Sequence, residues 1–391
     1  MGIVALALPL FSLTGRDTPR TMVAKAASPP PPSVDDSTPP PVDFEKIKPN
    51  ESGMVPILMY HNIIGDKIVE MKYPVAMFRS DLQWLYDHNY RPISLTDFVQ
   101  GKIDCPVGMS PVILTFDDGD KSQFNYLANG QIDPDCAVAI MDKFHADHPD
   151  WPTRATFFLI AGSTNLPAPF YQKKYVKRKI AYLLSEGYDL GNHTVHHPRM
   201  NRLSDDDVQA EIAGCVANLH KYAPDYDVDT IALPYGIFPK NATLLPSGSY
   251  DSIDYHNVCA MAAGWRPADS PIDKSFHRYE LERIQAGNAH FQSHWWLDYL
   301  EAHPGKKFVS DGDPSVFTVP ADLAKRVDKH SLYSMGFEMR TYGETSHLAS
   351  TKTKSGVAKN AVDEKKSTAK SAKSADGLTL VKTGGYTPAH N

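Results

Sequence analysis

This sequence has few cysteines, no excess of basic over acidic residues, and few long apolar runs. Its 391 residues include only four cysteines (Cys105, Cys136, Cys215 and Cys259), and no two form a CxxC pair, which excludes a zinc ribbon and a thioredoxin-like site. We interpret them as buried small apolar residues, although their even number would also permit two disulfides in an exported protein. The net charge of −6 excludes a basic surface built for nucleic acid, so no nucleic-acid partner is expected.

The apolar run nearest the N-terminus covers residues 3–13. It is too short to span a membrane but long enough for the apolar core of a signal peptide. No Lys or Arg precedes it, and the small-residue site at 24–26 lies far beyond it, so residues 1–27 are interpreted as a signal-like or anchor segment. We therefore expect an exported protein, either periplasmic, at the cell surface or secreted.

The two ends of the chain differ in composition from its middle. Residues 28–50 begin with a proline-rich stretch typical of a stiff linker. Residues 346–391 are rich in Lys, Ser and Ala and predict a disordered basic tail. A solvated tail is the simpler interpretation, and contact with an anionic envelope surface is the alternative. Residues 51–345 remain as one domain, the candidate to carry any catalytic function.

Strand-like apolar runs alternate with helical patterns in the middle of the chain. Strands are predicted at 55–60, 111–116, 155–160, 188–191 and 230–233, and helices at 78–89 and 175–186. This alternation predicts an α/β fold with a mainly parallel sheet, open or closed into a barrel. In such folds the chemistry lies at the carboxyl ends of the strands.

Two adjacent acids, Asp117 and Asp118, directly follow one of these apolar runs. Carboxylates at the end of a buried strand are costly to desolvate unless a cation or hydrogen-bond donors receive them. Successive side chains of a strand face opposite ways, so we expect different roles for the two acids rather than a matched glycosidase pair. An ordinary Asp-Asp-Gly turn is the alternative.

A histidine cluster, His193, His196 and His197, follows another short strand. Because His193 and His197 are four residues apart, a single helical turn would bring both imidazoles to one side, as metal-binding pairs require. A lone HxxxH pattern also arises by chance on surface helices. The chain has a second example, His290 and His294, in an aromatic stretch without an acid motif, which we interpret as an amphipathic helix.

Asp118, His193 and His197 together offer three protein ligands, which leaves one position of a catalytic divalent metal open for water. Such a set accepts zinc, our first expectation, and also cobalt, nickel or iron. Asp117, beside the ligands, is then a candidate general base towards that water. These four side chains form the candidate reaction centre.

A third motif, LPYG at 233–236, closes a further strand-like run. Proline removes one backbone donor and glycine loosens the chain, so the N–H of Tyr235 is a candidate donor to an oxyanion. A simple turn from strand to loop explains these four residues equally well.

The three motifs, taken in order, resemble those of the polysaccharide deacetylase family, also called the NodB-homology fold. The motifs that carry the resemblance are TFDDG at 115–119, HTVHHP at 193–198 and LPYG at 233–236. The resemblance spans roughly residues 55–317 and implies a distorted (β/α) barrel of seven strands.

The resemblance also implies a role for each motif residue. It assigns the general base to Asp117, the metal ligands to Asp118, His193 and His197, oxyanion stabilisation to the Tyr235 N–H, and support of the histidine loop to Thr194. The reaction would be attack of an activated water on an acetamide carbonyl, followed by protonation of the amine and release of acetate.

The sequence departs from the family pattern at two points. The family's third motif has an Arg two residues before its Pro, where this chain has Ala232, and the late Leu-x-His motif is not evident after Tyr235. Residues 55–64 (VPILMYHNII) are similar to exported poly-N-acetylglucosamine deacetylases, whose barrel is circularly permuted and uses an early His instead. His61 is therefore implied as the general acid, with a strand-end His bonded to backbone as the alternative.

The function implied by the resemblance is metal-dependent removal of N-acetyl groups from an N-acetylglucosamine-containing polysaccharide, by a monomer whose partner is the polymer. One alternative is a non-catalytic glycan-binding relative, which the altered third motif favours and the intact Asp117 disfavours. Others are an O-acetyl esterase acting on acetyl-xylan and a glycosidase that would be indifferent to chelators. The sequence does not distinguish among poly-N-acetylglucosamine, peptidoglycan, chitin oligomers and acetyl-xylan as the substrate.

Overall fold

A computed structural model describes residues 42–162 and 169–343 of the chain. The predicted signal-like segment, the proline-rich stretch up to residue 41 and the basic tail lie outside these residues. Within the segment expected as a linker, residues 44–47 form a short helix, and the buried Asn50 pairs with Val309. Across the described residues, no helix is both long and apolar enough to cross a membrane.

Eight α-helices and fourteen strands form within the described ranges. The α-helices are α1 (Phe44–Ile47), α2 (Val75–Asp87), α3 (Leu95–Val99), α4 (Ala137–Asp147), α5 (Val176–Ser185), α6 (Asp205–His220), α7 (Ser293–Ala302) and α8 (Lys329–Ser334). The strands are β1 (Ile57–Tyr60), β2 (Asn62–Ile63), β3 (Lys72–Tyr73), β4 (Tyr90–Pro92), β5 (Ser110–Phe116), β6 (Thr156–Leu159), β7 (Asp189–Asn192), β8 (Thr230–Ala232), β9 (Ser247–Tyr250), β10 (Ile253–His256), β11 (Cys259–Met261), β12 (Ile284–Gln285), β13 (Val316–Pro320) and β14 (Glu338–Tyr342).

The main sheet is a curled, parallel half-barrel. Its strands run in the order β11-β8-β7-β6-β5-β1-β12, and β4 pairs with the first part of β5. Each of these pairings is parallel. The predicted α/β class and distorted barrel are confirmed. In sequence, β1 and β12 are the first and last strands of the sheet, yet they are neighbours in it.

Alternation along the strands places two apolar clusters on opposite faces of the sheet. In β5, Ile113 belongs to one cluster and Leu114 to the other, and in β6 the neighbours Phe158 and Phe157 divide in the same way. Because side chains alternate along a strand, both faces of these strands are buried, as a parallel sheet covered by helices requires. The continuous apolar runs of the sequence have this origin.

The predicted helices agree with α2 and α5 except near their ends. α2 begins at Val75, just after Pro74, rather than at residue 78, and α5 is followed by Gly187 in a left-handed conformation (φ 87°), as a helix end commonly is. The four cysteines are buried and unpaired with one another, which confirms their interpretation as small apolar residues.

The helix predicted to carry both His290 and His294 is wrong in its first part. α7 begins at Ser293, and only His294 lies on it. Phe291 has a φ of 65°, which an α-helix cannot accommodate. His294 instead bonds, through Nε2, to the buried carboxylate of Asp81 at 2.8 Å.

Candidate active site

The predicted site residues come from segments that follow parallel strands, and such strand ends meet at one edge of the sheet. The residues at this edge are His61 after β1, Asp117 and Asp118 after β5, His193 and His197 after β7, and Tyr235 after β8. The fold therefore brings together groups that lie up to 174 positions apart in sequence (235 − 61).

Asp117 is buried and is held by a second buried side chain, Arg283. The guanidinium donates to both carboxylate oxygens, with Nη1 at 2.6 Å from Oδ1 and Nη2 at 2.7 Å from Oδ2. Burial alone would raise the pKa of Asp117, but the charge of Arg283 and the nearby imidazoles outweigh it and hold the pKa below its usual range. Asp117 is thus an oriented carboxylate that stays ionised.

Arg283 is a candidate functional residue that the sequence analysis missed. It lies directly before β12, and its Nε donates to the Ala262 carbonyl at 2.9 Å. Arg283 orients the Asp117 carboxylate. The family's Arg would have that role at position 232, where this chain has an uncharged alanine. The signal in the sequence was indirect, because a carboxylate buried at a strand end requires a cation but does not indicate which residue supplies it.

Asp118, His193 and His197 form a group with metal-ligand geometry. One ligand atom from each lies within 4.8 Å of the others. Asp118 Oδ1 is 3.4 Å from His193 Nε2 and 3.6 Å from His197 Nε2. Ligand atoms in a tetrahedral shell with bonds of about 2.0–2.1 Å are themselves about 3.3–3.5 Å apart. The residues therefore fit a divalent cation of the size of zinc.

The protonation of His193 also suits a ligand. Its Nδ1 lies 2.8 Å from the Ala232 carbonyl oxygen, so Nδ1 donates a hydrogen bond to that oxygen and Nε2 is the nitrogen that faces Asp118. Burial lowers the pKa of His193, but the Asp117 and Asp118 carboxylates outweigh burial and raise it. Two acids beside one buried imidazole thus create a site that favours positive charge.

The two histidines do not share a helical turn, and that prediction is wrong. Residues 193–197 form a loop in which Thr194 (φ 65°) and His197 (φ 54°) are left-handed. Asn192 Oδ1 accepts a hydrogen bond from the Thr194 N–H at 2.8 Å, and Thr194 Oγ1 accepts one from the His197 N–H at 3.0 Å. These side-chain bonds turn the chain back on itself and bring the two imidazole centroids to 4.8 Å.

Glu211 of α6 holds the middle of the same loop. Its Oε2 accepts from the backbone N–H groups of Val195 at 3.0 Å and His196 at 2.8 Å. Its Oε1 lies 2.7 Å from His196 Nδ1. His196 itself is exposed and does not belong to the ligand group. The third histidine of the motif therefore contacts the loop's anchor rather than the candidate metal position.

His61 lies next to Asp117, the candidate base. Its Nε2 is 4.0 Å from Asp117 Oδ2, the same distance that separates His193 Nε2 from that oxygen. Burial lowers the pKa of His61, although the Asp117 and Asp118 charges oppose this. The backbone carbonyl of His61 accepts a hydrogen bond from the Gln123 side chain at 3.0 Å. This bond does not involve the imidazole of His61.

Tyr235 lies beside the ligand group with its backbone in the left-handed region (φ 58°). Its ring is 4.6 Å, centroid to centroid, from the ring of His197, and the Arg199 guanidinium carbon lies 4.9 Å from the centroid of the Tyr235 ring. Among the described residues, no hydrogen bond uses the Tyr235 N–H as donor. The motif therefore places an unengaged backbone donor next to a candidate metal ligand.

Comparison with known proteins identifies the same region. Residues 106–247 match the family model described as polysaccharide deacetylase. This range contains both acids, the histidine loop and Tyr235, whereas His61 and Arg283 lie outside it.

Two curated relatives match part of the chain. The peptidoglycan-N-acetylglucosamine deacetylase of Bacillus cereus is 27% identical over 209 residues, 50% of this chain and 66% of its own length. YxkH of Bacillus subtilis is 25% identical over 174 residues, 43% of this chain and 52% of its own length. The chain thus spans between half and two thirds of the relatives that it matches.

Two solved structures are similar over a large part of their chains. The Streptococcus pyogenes deacetylase PplD, in complex with acetate, is 20% identical and covers 63% of this chain and 97% of its own, with a TM-score of 0.46. IcaB from Ammonifex degensii is 18% identical and covers 60% of this chain and 92% of its own, with a TM-score of 0.41.

Proposed function

We propose that this chain, whose residues 106–247 match the polysaccharide deacetylase family model, is a member of that family and removes N-acetyl groups from an N-acetylglucosamine-containing polysaccharide. The observation that carries this proposal is that two adjacent carboxylates at one edge of the sheet have different surroundings. Asp117 is paired with Arg283, whereas Asp118 faces two imidazoles. The name of the Bacillus cereus relative supports the choice of an amino-sugar polymer.

Asp118, His193 and His197 would hold a divalent metal, zinc first, with cobalt, nickel or iron as alternatives. When bound, such an ion supplies Lewis acidity towards a carbonyl oxygen and lowers the pKa of a water. Two imidazoles and one carboxylate would match the set of three protein ligands that is typical of catalytic zinc sites.

Asp117 is the proposed general base. Arg283 fixes both of its oxygens and keeps it ionised, so it can accept a proton from the attacking water throughout the neutral range. Its low pKa also means that it holds the proton weakly. The proton must therefore pass on to another group before the amine leaves.

His61 is the proposed general acid. Burial keeps its imidazole neutral at rest, and its Nε2 lies 4.0 Å from Asp117 Oδ2. That distance suits transfer through one water, after which His61 donates the proton to the departing nitrogen. The Tyr235 N–H would donate a hydrogen bond to the oxyanion that forms when water adds to the acetyl carbonyl. The bond from carbon to nitrogen then breaks, releasing acetate and a free amine.

The proposal extends to the setting of the reaction. An exported monomer that acts on a polymer outside the cytoplasm agrees with the apolar run at residues 3–13. Association with the cell envelope through the N-terminal segment or the basic tail stays part of this proposal.

The test is acetate release from N-acetylglucosamine oligomers by the full chain, with and without prior removal of metal by a chelator. We expect release by zinc-loaded protein, loss after chelation, and recovery on adding zinc or cobalt. Acetyl-xylan serves as the second substrate, which an O-acetyl esterase would prefer. Activity indifferent to chelation, or no acetate from either polymer, would contradict the proposal.

A further inference from the structure

An exposed tyrosine, Tyr171, lies beside the candidate site although no motif contains it. Its exposed fraction is 54%, whereas the preceding Phe170 is fully buried. The pKa of its hydroxyl is raised by partial burial and then by the charges of Asp120 and Asp118.

The residues on each side of Tyr171 are anchored to the segment that follows β5. The Phe170 N–H donates to the carbonyl of Gly119, the residue after Asp118, at 2.6 Å. The Gln172 side chain bonds twice to the backbone of Tyr126, accepting from its N–H at 2.9 Å and donating to its carbonyl at 2.8 Å. The turn that carries Tyr171 is therefore fixed relative to Asp118.

A buried lysine adds a third anchor. Lys179 of α5 is fully buried, and its Nζ donates to the carbonyl oxygens of Phe124 at 2.6 Å and Phe170 at 3.0 Å. Within the described residues it forms no salt bridge with a carboxylate. Burying an amine without a counter-ion is unfavourable. The burial of Lys179 against this turn therefore lowers the stability of the fold.

The backbone of the turn is also strained. Phe170 (φ 61°) and Tyr171 (φ 59°) are consecutive left-handed residues, and neither is glycine. Such conformations persist only where the surroundings impose them, and they are concentrated at ligand-binding and catalytic sites. The effect of the strain is to bury one aromatic ring and turn the next one outward.

We propose that Tyr171 stacks against a pyranose ring of the bound polymer, next to the unit whose acetyl group is removed. Tyr235, 53% exposed, lies beside His197, and Tyr171 directly follows Phe170, which bonds to the residue after Asp118, so the two rings flank different ligands of one site. The apolar face of a sugar ring suits such a rigid aromatic surface, which costs little conformational entropy on binding. The inference rests on the proposed function and adds a residue that determines preference for polymer over monomer.

The kinetic test compares Tyr171→Ala, Tyr171→Phe and the control Tyr333→Ala in the full chain. Tyr333 is similarly exposed, at 58%, but lies on α8, which packs against β14. For a pentamer of N-acetylglucosamine we expect Tyr171→Ala to raise KM about tenfold and to change kcat much less. Tyr171→Phe should restore the wild-type KM, and the effect should shrink for the monosaccharide. Equal KM values for Tyr171→Ala and Tyr333→Ala would overturn the inference.

A binding test separates this inference from the proposed reaction. The same substitutions are placed in an Asp117→Asn background, and the Kd for the pentamer is measured by calorimetry without turnover. We expect Tyr171→Ala to weaken binding about tenfold and Tyr333→Ala to leave it unchanged. If the wild-type protein binds the pentamer but releases no acetate, the proposed reaction fails while this comparison still decides the role of Tyr171. Absence of pentamer binding, or equal Kd values for both substitutions, overturns it.

Discussion

The candidate site has two halves, the Asp117 carboxylate and the ligand loop at 193–197, and they are held in different ways. Asp117 depends on one partner 166 positions away, the buried Arg283, whose guanidinium takes both of its oxygens. The ligand loop at 193–197 depends instead on a set of bonds to nearby residues, which include Asn192, Thr194 and Glu211. One half is a single long-range ion pair, and the other is a locally folded loop.

This difference predicts how each half fails. Removing one member of a buried ion pair leaves a charge without its partner, so the base half should fail abruptly and cost stability. The loop has several independent bonds, so losing one should displace the ligands by a small amount and weaken metal binding without unfolding the protein. Three substitutions test this contrast, from the largest expected effect to the smallest, and a fourth, with the smallest effect of all, concerns the buried Lys179.

Substitution of Asp117 by Asn should have the largest effect. An amide cannot accept the proton from water, so we expect acetate release to fall by about a thousandfold. Metal content, measured by atomic emission, should stay at the wild-type level, since Asp117 is not a ligand. Activity within about tenfold of wild type would remove Asp117 from the role of base.

Substitution of Arg283 by Met should destabilise the protein most. The neighbouring carboxylate would stay buried without a cation, and we expect the free energy of unfolding in urea to fall by about 3–5 kcal/mol. The double variant with Asp117→Asn should regain part of this loss, because the unpaired charge is then gone. An additive double variant would show that the two side chains are not coupled.

Loss of Glu211 should have an intermediate effect that is confined to the loop. In Glu211→Ala the Val195 and His196 N–H groups lose their acceptor, and we expect zinc affinity to fall about 10–100-fold. Glu211→Gln keeps an acceptor oxygen and should stay near wild type. His196→Ala, which leaves both N–H bonds to Glu211 intact, is the matched control. The absorption spectrum of the cobalt form should shift in Glu211→Ala alone.

The smallest effect concerns Lys179, a buried cationic group that pairs with no carboxylate among the described residues. Burial lowers its pKa to about 7, below that of lysine in an unfolded chain. Between pH 7 and about 10 the unfolded chain therefore binds a proton that the folded chain does not, so stability rises with pH by up to about 1.4 kcal/mol per pH unit. Urea unfolding at pH 7, 8 and 9 should show this slope in wild type but not in Lys179→Met. Parallel slopes would contradict the assignment.

The contrast between the halves also explains what the sequence could predict. The two acids, the paired histidines and Tyr235 each lie just after a short predicted strand, and parallel strands bring such ends together. Membership of one site therefore follows from local patterns. The strands β5 and β7 were predicted for the same reason.

Long-range pairing and loop conformation could not be read from local patterns. Nothing near Arg283 marks it as the partner of Asp117, because the pairing depends on β12 lying beside β1. The histidine spacing suggested a helical turn, but Asn192 and Thr194 side chains compete for the backbone and stabilise a loop instead. Tyr171 escaped notice because its exposure depends on anchors at Gly119 and Lys179.

Metal binding by the full chain tests the central claim most directly. Equilibrium dialysis against zinc, after chelation and its removal, should give one ion per chain for wild type and for Asp117→Asn. His193→Ala and His197→Ala should each lose that ion, while both variants keep the wild-type circular dichroism. Retention of one tightly bound ion in either histidine variant would contradict the assignment of Asp118, His193 and His197 as the metal ligands.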